Sequence, residues 1–346
     1  GAGAIQRNQF WDCAKGCAII SVVIGHGFQI THEFVYAYHL ALFYFVSGWF
    51  YNEKKYGDAP ELNLAARMKR NWPKFVIYSS ILTLLHVLLQ PFLGVDMVRE
   101  YISVKTAVIY IIESCAFRVD DRLCGSMWFL PQIVLASTLF GLIVWFSRRR
   151  FAVKRKDAVI ILLSVLFGAV GSILSWRDLR IAGGLHLEYD MKAMPIYLAA
   201  YYARKLLGEK PEKALKLAVA LPCLGVILLG CLLHIPMGVE SPPYSFYLLG
   251  AAGIYGILYL CRLIGRIPYL AAVLSKIGEY SFEIMAFNVI IYFLFNAVFL
   301  RIPGVKQNAF SLNYFQQYWF IQLPVLLGLP CIIGTVYKRT RKALFS

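Results

Sequence analysis

Apolar runs close to the length of a membrane crossing recur along the whole chain, and they leave it few folds to choose from. Inside hydrocarbon each backbone N–H and C=O needs an internal partner, and a helix of some 20 residues both spans about 30 Å and meets that demand. Ten such runs can be drawn: Cys13 to Ile30, Phe34 to Phe50, Phe75 to Leu93, Trp128 to Phe146, Ala158 to Ser175, Met194 to Leu207, Ala214 to Leu233, Tyr244 to Leu263, Tyr280 to Leu300 and Tyr318 to Tyr337. With 59% hydrophobic and only 16% charged residues, the composition lies outside that of soluble domains. The expected fold is an all-α polytopic membrane protein of about ten transmembrane helices, one membrane-embedded domain over residues 1–346. No stretch reads as a cleavable signal.

The net charge of +16 invites a nucleic-acid reading, but its placement argues for topology instead. With the amino terminus in the cytoplasm, the inner connections and ends collect 26 of the 35 basic residues, in every inner segment. That is the positive-inside pattern with both termini cytoplasmic, in a protein whose surroundings are membrane lipids. The longest outer connection, Gly94 to Met127, contains an amphipathic stretch, Tyr101 to Phe117, expected to lie on the outer surface or dip into it. Of eight cysteines, only Cys115 and Cys124 share an outer connection, free or paired. No His or Cys spacing suits a metal, and neither a phosphate-binding glycine loop nor Gly-x-Ser-x-Gly occurs.

Three groupings carry chemistry. Lys15 and His26 are eleven residues apart, three helical turns to within about 20°, so they share a face with a rise of roughly 16 Å between them. Asp12 joins that face, and Gly25 and Gly27 flank the histidine, leaving room for a neighbouring helix or an extended substrate. An imidazole titrating near neutral pH can take a proton from a hydroxyl or itself attack an acyl carbon; the bland reading is a hydrogen-bonded structural histidine. His39, in the second apolar run, falls at about the depth of His26, where it can orient the first ring or merely tie two helices. Arg67 and Arg70, at i and i+3 in the basic run before the third span, offer two guanidinium forks on one face; they suit phosphate, or serve only as solvated topology signals.

Together these residues resemble the membrane acyltransferase-3 family. The likeness rests on Lys15 and His26 with ten residues between, on Phe43-Tyr44-Phe45-Val46-Ser47-Gly48-Trp49, on Arg67-x-x-Arg70-x-x-Pro73, on Trp128-Phe129-Leu130 and on Ile277-Gly278-Glu279-Tyr280-Ser281. The segment introduced by Tyr38-His39-Leu40 is most similar to the fucose 4-O-acetylase-related branch. The resemblance implies ten helices in a cytoplasmic (plasma) membrane of bacterial type and an acetyltransferase that uses acetyl-CoA (acyl-CoA) as donor. The acceptor it implies is a hydroxyl, commonly of an extracytoplasmic glycan, with no metal, and a homodimer is compatible with it. By carry-over, His26 is the essential histidine, Lys15 its basic partner, Arg67 and Arg70 the cytoplasmic arginine pair and Ser47 and Gly48 the Ser-Gly turn; with His39 added from its depth, His26 and His39 are the expected catalytic residues, and Lys15, Arg67, Arg70, Ser47 and Gly48 the expected donor-binding set.

One departure concerns the ninth span, where many members carry a histidine and this chain has Asn288, which hydrogen-bonds but cannot titrate. No soluble domain is expected after the last span, so the acceptor must reach the membrane part directly or through a partner protein. Acceptor choice is expected in the outer connections, Arg301 to Tyr318 among them. The alternative function is a multi-pass transporter of a glycan-lipid or small anion, which has no need of an imidazole three turns from a cation.

Overall fold

The computed structural model describes residues 8–27, 29–181, 185–299, 301–302 and 313–345. Arg7, Lys306 and most of the expected Arg301 to Tyr318 connection lie outside them. Among the described residues sixteen α-helices follow one another: α1 (Gln9–Gly27), α2 (Gln29–Tyr36), α3 (His39–Trp49), α4 (Glu53–Tyr56), α5 (Pro60–Leu93), α6 (Val95–Val98), α7 (Val104–Cys115), α8 (Phe129–Arg150), α9 (Val153–Trp176), α10 (Leu187–Lys192), α11 (Met194–Leu207), α12 (Leu217–Leu232), α13 (Pro243–Ile264), α14 (Pro268–Glu279), α15 (Ser281–Phe299) and α16 (Asn313–Phe345). Short 3-10 turns cover Arg122–Trp128 and Pro211–Lys213.

Among the described residues six segments are long and apolar enough to cross a membrane: α5, α8 with the 3-10 turn before it, α9, α13, α15 and Tyr318–Ala343 of α16. The protein is therefore an all-α, multi-pass membrane protein. The other four expected spans correspond to α1, which is less apolar, and to α3, α11 and α12, which are shorter.

The first two apolar runs fold as three helices. Val35 and Tyr36, at the end of α2, pack onto Gly25 of α1: a Cβ there would stand 2.9 Å from Val35 Cγ2 and 2.8 Å from the Tyr36 ring. The basic run Arg67 to Lys74 belongs to the same helix as the third span, because α5 starts at Pro60, a residue suited to a first helical turn.

The connection from Gly94 to Met127, expected on the outer side, packs back along α5. Gln90 of α5 is hydrogen-bonded to both backbone groups of Ile102, and Trp72 Nε1 donates to Cys115 O at 2.9 Å. Those α5 residues are eighteen positions apart, about 27 Å along α5, and the stretch from Ile102 to Cys115, of which α7 makes up 12 residues or about 18 Å, runs beside them. The chain then returns past Phe75, whose ring is 4.9 Å from that of Phe117, to a buried His86–Asp121 contact of 3.0 Å. Val104, Val108, Ile109 and Ile112 of α7 stay exposed, as suits a face turned to lipid. Cys115 and Cys124 are both free thiols.

Three basic connections meet at one carboxylate. Glu53 is bonded to Arg148 (3.0 Å), Lys156 (3.0 Å), Lys205 (3.2 Å) and the Tyr201 hydroxyl, and Arg148 also pairs with Asp58 at 2.9 Å. Burial alone would raise its pKa, but the hydrogen bonds from Tyr201, Lys156 and Lys205 outweigh it and hold the carboxyl at about 2. The segments around residues 53, 148–157 and 201–205 thus share one face of the protein, as the charge pattern requires.

Candidate active site

Two cavities lie end to end along α1. The first, about 460 Å³, takes Lys15 from α1, Ser47 from α3, Arg67 and Arg70 from α5 and Glu279 from α14 into its wall. The second, about 230 Å³, takes His26 from α1, Tyr36 from α2, His39 from α3 and Glu240 from the turn before α13. Phe129 and Met285 line both. Because α1 is unbroken from Gln9 to Gly27, the rise of roughly 16 Å between Lys15 and His26 stands, and it places the two side chains in different cavities.

Backbone contact between α1 and α14 builds the cationic cavity. Gly16 lies against Leu274 O, and Gly278 against Asp12 O and, at 2.8 Å from its would-be Cβ, Gly16 N. This approach brings Glu279 to the cavity that Lys15 enters. The carboxylate also pairs with Lys276 (3.2 Å) and Lys338 (2.7 Å). Lys15 is paired with Asp12 one turn earlier, at 2.5 Å. Arg67 Nε donates to Asn63 Oδ1 at 3.3 Å, and Asn63 is itself fixed by donating to Ser137 O and Oγ, both at 3.1 Å. Lys74 turns away, bonded to buried Glu283 at 2.5 Å.

Ser47 Oγ lines the cavity and accepts from Tyr197 at 2.8 Å, whereas Gly48 lies behind it, its would-be Cβ 2.9 Å from Tyr197 Cα. The Ser-Gly pair therefore seats α3 on α11 and leaves the hydroxyl at the wall.

In the second cavity His39 is buried and His26 exposed. His39 Nδ1 is 2.8 Å from Val35 O; a carbonyl only accepts, so Nδ1 carries the proton and a neutral ring keeps its lone pair on Nε2. The Tyr36 ring stands edge-to-face against both imidazoles, its centroid 4.7 Å from His39 and 6.4 Å from His26. Of the two occupants expected beside Gly25, a neighbouring helix or a substrate, it is the helix that fills the space, through this ring and Val35; the open volume lies toward Trp128 and Glu240.

Glu240 accepts from Tyr189 Oη at 2.8 Å. Lys192, fully buried, clamps the same turn by donating to Val239 O at 2.7 Å and Ser241 O at 2.6 Å. Burial brings its pKa down to about 8 despite the opposing charge of Glu240.

Of the expected site residues, His26, His39, Lys15, Arg67, Arg70 and Ser47 thus reach one cavity or the other, and Gly48 does not. Sequence reasoning missed Asn63, Tyr36, Lys192 and Glu240, which stand in no recognisable pattern; Phe129 and Glu279 stand inside motifs that carry the family resemblance, which could have signalled them. Asn288 donates to Ile284 O (3.0 Å) and Met285 O (2.9 Å) of its own helix and so braces α15 at Met285. Among the described residues no three His, Cys, Asp or Glu side chains group as a metal site would need.

Comparison with known proteins adds one finding: a family model described as an acyltransferase domain matches residues 8–338. No curated protein and no solved structure matches the chain.

Proposed function

Because the chain belongs to the membrane acyltransferase-3 family, we propose that it moves an acyl group, acetyl by preference, from acyl-CoA in the cytoplasm to a hydroxyl of an extracytoplasmic glycan. The observation that carries this reading is the abutment of the two cavities at Phe129 and Met285, one walled by three cations and the other by two histidines. Phosphates are costly to desolvate, so the nucleotide end of the donor stays at Lys15, Arg67 and Arg70, where arginine forks match phosphate geometry. A slender thioester arm passing Phe129 and Met285 delivers its carbonyl near His26.

There His26 acts as general base: it takes the proton of the acceptor hydroxyl while the oxygen attacks the thioester carbonyl carbon. A C–O bond forms, the C–S bond breaks, and the departing thiolate takes up a proton. In the second route the imidazole attacks the thioester first, the C–S bond breaks and the thiolate takes up the ring's proton; the acceptor hydroxyl then attacks the acyl-imidazole and its proton returns to the freed ring. On this reading the membrane is the cytoplasmic membrane, with the Glu53 cluster on the cytoplasmic face.

The test is acetyl-CoA turnover by the purified protein in detergent. Slow hydrolysis without acceptor, stimulated by a glycan acceptor and absent from His26→Ala, is expected. Failure of the parent protein both to bind and to turn over acyl-CoA would favour a transporter.

A further inference from the structure

A third cavity, about 580 Å³, is walled almost wholly by hydrocarbon and shares no residue with the other two. It runs between α11 and α13, with Ala199 and Ala203 on one side and Ala251 and Leu258 on the other, over a floor of Trp11 and Trp49. Helical spacing explains its length: the α11 residues recur every four positions and so form a stripe. Its two hydroxyls are already engaged. Tyr247 Oη donates to Lys192 O at 2.8 Å, and Tyr255 Oη accepts from Lys216 N at 2.9 Å. A polar ligand would find little to bond. Ala199 and Ala251 are exposed, so the groove opens sideways, toward the hydrocarbon of the membrane.

One end of the groove is closed by Pro211, Ala214 and Leu215. The segment from Arg204 to Lys216 holds five basic residues against Glu209 and Glu212. Arg204 donates to Trp49 O and Lys205 is held by Glu53, but Lys210, Lys213 and Lys216 are exposed around the closed end. Hydrocarbon wall and cationic end together have the polarity of one molecule. We propose that the α11–α13 groove is a binding site for an anionic phospholipid of the leaflet next to the Glu53 cluster, its acyl tail in the groove and its phosphate at Lys210, Lys213 and Lys216. A void of this size lined by apolar side chains forgoes dispersion contacts that a lipid tail restores, and each lysine near a lipid phosphate adds electrostatic attraction.

The experiment is native mass spectrometry of the full chain, released from detergent after mixing with dioleoylphosphatidylglycerol or dioleoylphosphatidylcholine. The parent is expected to retain the anionic lipid about tenfold better. K210Q/K213Q/K216Q changes only exposed side chains and should bring the two lipids level. Ala251→Trp, which fills the groove, should lower retention of both. Ala199→Leu serves the same purpose if the tryptophan variant misfolds. Equal retention of the two lipids by the parent would overturn the proposal, as would retention unaffected by the groove variants. Displacement of the lipid by palmitoyl-CoA but not by acetyl-CoA would make the groove a donor site and likewise overturn it. A dimer lost in Ala251→Trp would make it a subunit interface and overturn the proposal too.

Discussion

Gly16 and Gly278 bring two helices into backbone contact, a Cβ on Gly278 falling 2.8 Å from Gly16 N and closer still to Asp12 O. Any side chain at Gly278 must push α14 off the helix that carries Lys15 and His26. Gly278→Ala is therefore expected to cost about 1–3 kcal/mol and several degrees of melting temperature, with loss of donor binding. Gly256→Ala, at a helical site with nothing within 4 Å, should be neutral or stabilise by about 0.5–1 kcal/mol. Comparable melting curves for the two variants would show that α1 and α14 can part freely.

Arg70 is expected to act on the donor alone. Charge-assisted hydrogen bonds contribute about 1.5–3 kcal/mol each, so Arg70→Ala should weaken CoA binding by about ten- to a hundredfold while the melting temperature holds. Arg70→Lys should recover only part, having no fork. Titration calorimetry with CoA decides it, and unchanged affinity removes Arg70 from the donor site.

For His26 the expected loss is in the chemical step. His26→Ala and His26→Gln should bind CoA like the parent and lose about a hundredfold or more in transfer, the usual contribution of a general base. His39→Gln should be milder, because His39 is tied to Val35 O and meets Tyr36. Transfer by His26→Ala within a few-fold of the parent would move the chemistry elsewhere.

Phe129 and Met285 give the proposed route its sharpest test, as both cavities depend on them. Met285→Trp should leave CoA binding intact and cut transfer by roughly a hundredfold, by keeping the thioester from His26. Transfer equal to the parent's would mean the arm takes another route.

Glu53 makes stability depend on acid. Its folded pKa of about 2 lies below the ordinary 4.5, so its contribution is complete above about 4.5 and fades as pH falls through about 2. Glu53→Gln should melt below the parent at neutral pH, and the gap should close from about pH 5 downward. A gap that does not change with pH would assign the loss to packing.

What could be read from the residues in order was whatever depends on neighbours along the chain. Apolar length and the distribution of basic residues determined the helical, multi-pass class, since a bilayer permits little else. Helix periodicity determined that Lys15 and His26 share a face and that Arg67 and Arg70 share a turn, because the rise and twist of a helix are local constants. The structure decided what depends on packing between distant segments. Only α14 lying on Gly16 brings Glu279 to the Lys15 cavity, and only the folding of Val35 and Tyr36 over Gly25 sets a tyrosine between two histidines. The descent of α7 along α5 and the meeting of both cavities at Phe129 and Met285 are likewise matters of shape. Side-chain volumes and missing Cβ atoms choose among the many ways apolar helices can adjoin, and that choice is made by contacts between residues far apart in the chain.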